Sequence, residues 1–187
     1  MRYLFFPFLL CISQVAFSQN QNRVADSLIQ ILKTAKEDTT KVIYLNTVSR
    51  SLGQVGDYDR ALSYAKDALV LAQKINFKTG ITKAYNNAGI VYTRLGNYPE
   101  ALKNDLASLK LQEEIDDKHG ISYSYYTIGI IYLDQGNYTE ALKNYHAALN
   151  IADKINDNRI IACSYNGMGN VYIDQHNYSE ICLHILD

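Results

Sequence analysis

The strongest constraint on this chain of 187 residues is a sequence repeat with a period of 40 residues. The segment LGNYPEALKN at 95–104 returns as QGNYTEALKN at 135–144 and, in degraded form, as QHNYSEICLH at 175–184. The same step relates three series of residues: Tyr58, Tyr98, Tyr138 and Tyr178; Gly89, Gly129 and Gly169; and Ile75, Ile115 and Ile155. A fixed period of this size predicts a stacked array of supersecondary units, each completing its core by packing on the next.

The first half of each period has the pattern of a helix, here named helix A. Within 121–160, residues recur at i, i+3, i+4 and i+7, which is the spacing of one helical face. The members of this face are Tyr125, Ile128, Gly129 and Tyr132. Helix A is expected from about Ile121 to Gln135, and Gly136 is expected to end it in the left-handed conformation.

The second half of the period predicts a helix B. Thr139 and Glu140 suit its first turn, and the polar residues at 156–158 indicate its end. Its apolar stripe contains Ala141, Leu142, Tyr145, Ala148, Leu149, Ala152 and Ile155. Because Gly129 and Ala141 are small, we expect the antiparallel pair to approach closely there, with Tyr132 and Tyr138 filling the space around the contact.

This pattern resembles the tetratricopeptide repeat, whose signature is an aromatic residue, Leu-Gly, Tyr, then Gly-x-Tyr-x-x-Ala, an aromatic residue and Ala. The matching positions are Tyr125, Ile128, Gly129, Tyr132, Gly136, Tyr138, Ala141, Tyr145 and Ala148. The resemblance implies an all-α fold, a right-handed superhelix (α-solenoid) of stacked antiparallel helix pairs. It also implies a protein that binds other proteins through the groove lined by its A helices and that performs no catalysis. Because the family period is ~34 residues, helix B and its loop are expected to be extended here.

The N-terminal residues predict a signal peptide at 1–18. Arg2 supplies the positive charge, Leu4 to Ile12 form a short apolar run, and Ala16-Phe17-Ser18 has the spacing of a cleavage site. The chain is therefore expected to be exported, as a periplasmic or secreted protein. In that compartment Cys163 and Cys182 could pair, although two buried, unpaired cysteines are the more frequent arrangement.

The remaining chain is expected to divide into an N-terminal helical segment at 19–38 and a repeat array at 39–187. The array would consist of 39–80, 81–120, 121–160 and an incomplete unit at 161–187. The helix at 19–38 carries a stripe of Ala25, Leu28, Ile29 and Leu32, expected to pack on the first repeat. The stretch from Leu32 to Asn46 also resembles the start of exported repeat regions in bacterial sensor proteins. An alternative is therefore the sensory fragment of a membrane signalling protein, of histidine kinase or cyclase type, without its output domain.

Sequence motifs give little support to catalysis. The chain contains no GxxxxGK[ST] loop, no HExxH and no CxxC, so we expect no cofactor, no metal site and no enzyme activity. With 18 Lys and Arg against 19 Asp and Glu, no nucleic-acid partner is expected either. Asp105 replaces an aromatic residue of the pattern and is expected at the edge of an interface, with a role in a hydrolase site as the less favoured alternative.

The groove itself supplies the candidate binding residues, since the positions next to the core face of each A helix would line its concave side. These positions are Lys83, Asn86, Asn87, Ile90, Tyr123, Tyr126, Ile130, Leu133, Asn166 and Asn170. Tyrosine rings offer contact area and amides can pair with an extended backbone, so a protein or peptide partner is expected. The alternative is that some of these tyrosines pack within the array. Tyr123 and Thr127 stand where the family's clamp for a C-terminal carboxylate needs basic residues, which makes that partner class a poor fit.

The fourth unit departs from the pattern in its helix B. His176 replaces the glycine that ends helix A, and Ile181 with Cys182 replaces the Ala-Leu pair. We expect this uncapped C-terminal repeat to fray or to associate with another copy, and the chain to be a truncated or frame-shifted piece of a longer repeat protein.

Overall fold

The computed structural model describes residues 23–175, and within this range the chain forms helices and no strands. A first helix, α1, covers 23–32. Seven helices follow it, each of 17 residues. They are α2 (Thr39–Val55), α3 (Tyr58–Lys74), α4 (Lys78–Arg94), α5 (Tyr98–Glu114), α6 (Lys118–Asp134), α7 (Tyr138–Lys154) and α8 (Asn158–Asp174). The all-α prediction is confirmed.

The lengths of the helices explain the period. From α3 onward, connections of three residues separate helices of equal length, so that two helices and two connections span 40 residues. Helix B is long, as expected, but helix A has the same length and the connections are short, so the period comes from both helices and not from helix B and its loop. The A-type helix α6 also begins at Lys118, three residues before the predicted start at Ile121.

The helix ends are fixed by local side-chain and backbone chemistry. An Asp or Asn precedes the first residue of six of the helices, and its side-chain oxygen accepts a hydrogen bond from a backbone N–H in the first turn. Gly136 has φ of 70°, which confirms its predicted left-handed conformation. After α7 that conformation falls instead on Asn156, with φ of 56°, and asparagine tolerates it better than other residues with a Cβ.

The chain divides into two compact units, the first ending at Val91 and the second beginning at Tyr92. In the first unit, Ala25 of α1 joins a buried cluster with Val48, Leu52 and Ala61. Leu28, Ile29 and Leu32 of α1 pack partly buried against the same cluster, and each Å² of apolar surface that they bury stabilises the fold by ~25 cal/mol.

Buried hydrogen bonds join the helices of the first unit at defined positions. Ser49 of α2 donates to the backbone carbonyl of Ala61 on α3 at 2.8 Å. The Asn46 amide donates to the carbonyl of Gly80 on α4 at 3.1 Å. The Asn87 amide on α4 in turn donates to the Asn46 carbonyl at 2.9 Å and to its side-chain oxygen at 3.2 Å. These bonds fix the positions of α2, α3 and α4 because buried amides and hydroxyls are costly to leave unpaired.

In the second unit, the Tyr145 side chain of α7 is fully buried between two glycines. A Cβ added at Gly129 of α6 or at Gly167 of α8 would lie within 2.7 Å of the Tyr145 ring. The absence of side chains at both glycines therefore creates the space for the ring. The three atoms nearest to a Cβ at Gly129 all belong to Tyr145, so this glycine makes room for the Tyr145 ring.

Several of the sequence predictions concern residues outside 23–175. The signal peptide at 1–18 and the substitutions at His176, Ile181 and Cys182 lie outside the described residues. Across 23–175, no helix has both the length and the hydropathy that a bilayer-spanning helix requires.

Candidate functional site

The predicted lining residues of α6 form one stripe along that helix. Tyr123, Tyr126, Ile130 and Leu133 are all half-buried. Tyr126, Ile130 and Leu133 pack against the buried cluster around Tyr145, and they also retain accessible surface. These side chains therefore support the core with one side and remain accessible on the other.

A second stripe runs along α8 beside the first. It consists of Arg159, Cys163, Asn166, Asn170 and Ile173, at helical spacing. The guanidinium carbon of Arg159 lies 5.8 Å from the centre of the Tyr123 ring. Burial and the neighbouring Cys163 thiol raise the pKa of Tyr126. Because N-terminal residues of α8 contact N-terminal residues of α6, the two helices run in the same direction. Their stripes therefore form one surface.

We refer to this surface as the α6–α8 face. Its exposed members include Asn166 and Asn170, together with Ile173, which is 48% exposed. The face thus combines apolar area from α6 with exposed amides and an exposed apolar side chain from α8.

An aromatic series connects the α6–α8 face to the core. The rings of Tyr145 and Tyr126 are 6.0 Å apart with an interplanar angle of 43°, and those of Tyr126 and Tyr123 are 6.3 Å apart at 46°. Such tilted pairs are favourable for aromatic rings. Since Tyr145 is fully buried, the half-buried rings are held in place from beneath.

Charged residues lie at both ends of the α6–α8 face, and the end with Arg159 also holds the N-cap carboxylates Asp117 and Asp157. Arg159 lies in the first turn of α8, whereas Asp134 and Asp174 are the last residues of α6 and α8. Burial raises the pKa of Asp134 above its ordinary value, although the residue as a whole is exposed. In the first turn of α6, His119 Nε2 lies 3.2 Å from the Asp157 carboxylate, which precedes α8.

The predicted lining residues of the first unit differ among themselves. Lys83 is exposed, whereas Asn86, Asn87 and Ile90 are half-buried. The side-chain amide of Asn87 is engaged by Asn46 on α2, so its N–H groups are already used within the fold. Asn86 has a buried side-chain oxygen without a hydrogen-bond partner among the described residues.

Comparison with known proteins agrees with this architecture. The sequence model of the tetratricopeptide repeat family matches residues 39–114, 80–142 and 120–181. The chain belongs to the tetratricopeptide repeat family. A comparison with curated proteins found no match.

Solved structures with the same fold include several repeat proteins. A Rap protein complexed with Competence and Sporulation Factor is 16% identical with a TM-score of 0.80, covering 95% of this chain and 49% of that one. BtubC from P. vanneervenii is 14% identical with a TM-score of 0.69, covering 89% and 69%. A putative kinesin light chain from Podosopora anserina with TPR-like repeats is 14% identical with a TM-score of 0.67, covering 90% and 85%. This chain spans about half the length of the Rap protein, and these likenesses show the fold alone.

Asp105 of this tetratricopeptide repeat protein is only 1% exposed, so the expected position at an interface edge was wrong. Burial raises the pKa of its carboxyl from 3.8 to about 7, and the neighbouring Thr127 lowers this pKa by a smaller amount. The Thr127 hydroxyl donates its proton to the Ser124 carbonyl at 3.0 Å, and neither Asp105 oxygen has a hydrogen-bond partner among the described residues. A closed site without access for substrate gives the hydrolase alternative no support.

The tetratricopeptide repeat pattern relates Asp105 to Tyr145 by one period. Tyr145 contacts Gly167, and the residue 40 positions before Gly167 is Thr127, which neighbours Asp105. A large ring therefore faces a glycine in one repeat, and a smaller carboxyl faces a threonine in the preceding repeat. Sequence analysis missed this pairing because it compared equivalent positions and not contacting ones.

A metal site finds no support in the described part of the chain. Within residues 23–175, no group of three or more His, Cys, Asp and Glu side chains has an arrangement that could hold an ion.

Proposed function

We propose that this tetratricopeptide repeat protein is a non-catalytic interaction module that binds an extended segment of a partner protein on the α6–α8 face. The observation that carries the proposal is the composition of that face, where half-buried rings and aliphatic side chains border exposed amides. Rigid aromatic rings give contact area at low entropic cost, and amides can donate to and accept from an extended backbone.

Two further facts support a protein or peptide partner. The solved Rap structure is itself a complex, with Competence and Sporulation Factor, and it has the same fold over 95% of this chain. The formal net charge of −1 gives no electrostatic attraction for the phosphates of a nucleic acid.

The test uses substitutions of exposed residues, so that folding is preserved. A double variant, Asn166→Ala with Ile173→Ser, removes one amide and one apolar side chain from the α6–α8 face. The matched control, Asn150→Ala with Leu106→Ser, makes the same chemical changes at exposed positions of α7 and α5. We expect the first variant to select few or none of the peptides that the unaltered chain enriches from a displayed random dodecamer library.

The control variant is expected to select the same peptides as the unaltered chain. Equal selection by both variants, with both showing the helical far-ultraviolet spectrum of the unaltered chain, would place binding elsewhere and remove the proposal.

Export is a further part of the proposal, supported by the charged, apolar and small residues at 1–18. Cell fractionation with an antibody to the chain should find a form shortened at its N-terminus outside the cytoplasm. The full-length form in the cytoplasm alone would contradict export.

The second candidate is the sensory fragment of a membrane signalling protein, favoured by the sequence at 32–46. This candidate requires a membrane helix and an output domain encoded downstream in the same gene. Sequencing the genomic region tests it, because a gene without such segments would remove it.

A further inference from the structure

Arg159, on the α6–α8 face, has no anionic partner among residues 23–175. Arg159 is exposed, and its guanidinium lies over the Tyr123 ring at 5.8 Å, within the range of a cation–π contact. Tyr123 rests in turn on Tyr126 and, through it, on buried Tyr145. This support restricts the arginine side chain and lowers the entropy that a binding partner must remove.

The carboxylate nearest to Arg159 along the chain is Asp157, and it forms no ion pair with Arg159. Asp157 Oδ1 accepts a hydrogen bond from the backbone N–H of Ile160 at 3.2 Å, and Oδ2 lies 3.2 Å from His119 Nε2 without a hydrogen-bond partner among the described residues. Among the described residues, no carboxylate lies within ion-pair distance of the Arg159 guanidinium. Its N–H donors are therefore available to an anion brought by another molecule, and guanidinium binds carboxylates with two parallel hydrogen bonds.

The distance from Arg159 to the apolar part of the face sets the spacing between an acidic and an apolar side chain of a bound segment. Ile130 and Leu133 follow Tyr123 by seven and ten residues on α6, which corresponds to about 10 Å and 15 Å at 1.5 Å per helical residue. An extended segment advances about 3.3 Å per residue. A segment lying along the face would therefore span that distance in about three to five residues.

We infer that the segment bound on the α6–α8 face carries an acidic side chain that pairs with Arg159 and a large apolar side chain three to five positions away that packs on Ile130 and Leu133. This inference rests on the proposed function and adds the chemistry of the partner.

The test compares peptides selected from the displayed dodecamer library by the unaltered chain, by Arg159→Glu and by Lys110→Glu. Lys110 is an exposed residue of α5, so its variant makes the same charge change away from the α6–α8 face. We expect the unaltered chain and Lys110→Glu to enrich peptides with an acidic residue three to five positions from a large apolar residue. Synthetic peptides with the acidic residue replaced by lysine should bind the unaltered chain about tenfold more weakly or worse. The same lysine peptides should recover affinity for Arg159→Glu.

The possible results separate this inference from the proposed function. Enriched peptides that lose affinity for Asn166→Ala with Ile173→Ser, yet show no acidic preference and no response to Arg159→Glu, would overturn the inference and leave the proposed function intact. Failure of the unaltered chain to enrich any peptide beyond that double variant would overturn both.

Discussion

Replacing Asp105 with asparagine should stabilise the protein at neutral and alkaline pH. The carboxyl is 1% exposed, and burial raises its pKa from 3.8 to about 7. One pKa unit corresponds to ~1.4 kcal/mol, so ionised Asp105 destabilises the folded state by at most about 4 kcal/mol. Asparagine has nearly the same shape and cannot ionise, and we expect the variant to avoid this cost.

The pH dependence has a defined sign. Because the pKa of Asp105 is higher in the folded chain than in the unfolded chain, folding favours the protonated form. The contribution of Asp105 to the free energy of unfolding is therefore greatest below its unfolded pKa of 3.8, falls as the pH rises to about 7, and then stays constant.

Urea unfolding at pH 8 and pH 4.5 measures this effect. The stability difference between Asp105→Asn and the unaltered chain should shrink by about 3 kcal/mol from the higher pH to the lower. Asp153→Asn, which changes an exposed carboxylate on α7, should track the unaltered chain at both values. Equal pH dependence in Asp105→Asn and the unaltered chain would refute the reasoning, because it would mean that Asp105 titrates normally when folded.

Three further predictions concern the packing and the termini. Tyr145→Ala should lower the free energy of unfolding by about 3–5 kcal/mol in urea titrations, and Tyr165→Ala, at a side chain 43% exposed, by clearly less. Gly129→Leu should abolish the cooperative loss of helical far-ultraviolet signal on heating, because a Cβ there already meets the Tyr145 ring at 2.7 Å; retention of the wild-type transition would contradict this. Light scattering should show concentration-dependent association that decreases when 176–187 are removed, and a monomer at all concentrations in both forms would count against self-association.

The period predicted the number and kind of helices, because each repeat has to bury the same faces. The start of α6 was misplaced because its first three residues, Lys118, His119 and Gly120, include no apolar residue that periodicity could detect. The signal that marks the true start is Asp117, whose side chain accepts a hydrogen bond from the Gly120 backbone N–H at 2.9 Å.

The sequence analysis did not identify the contact of Arg159 and misplaced Asp105. Arg159 lies at a position occupied by threonine or histidine in the other repeats, and its contact with Tyr123 joins residues of successive repeats. Asp105 was assigned to an edge because charged residues are seldom buried. Its equivalence to Tyr145 indicated burial, since a position that holds a fully buried ring in one repeat is expected to be buried in the neighbouring repeat as well.

Photo-crosslinking that locates a bound segment is the most direct test of the proposed binding site. A photo-crosslinking amino acid placed at Asn170, on the α6–α8 face, can be compared with one at Asn150, exposed on α7. With a peptide selected from the dodecamer library, we expect a crosslinked product from position 170 that unlabelled peptide suppresses, and none from position 150. Crosslinking from position 150 at an equal or greater yield would contradict binding on the α6–α8 face.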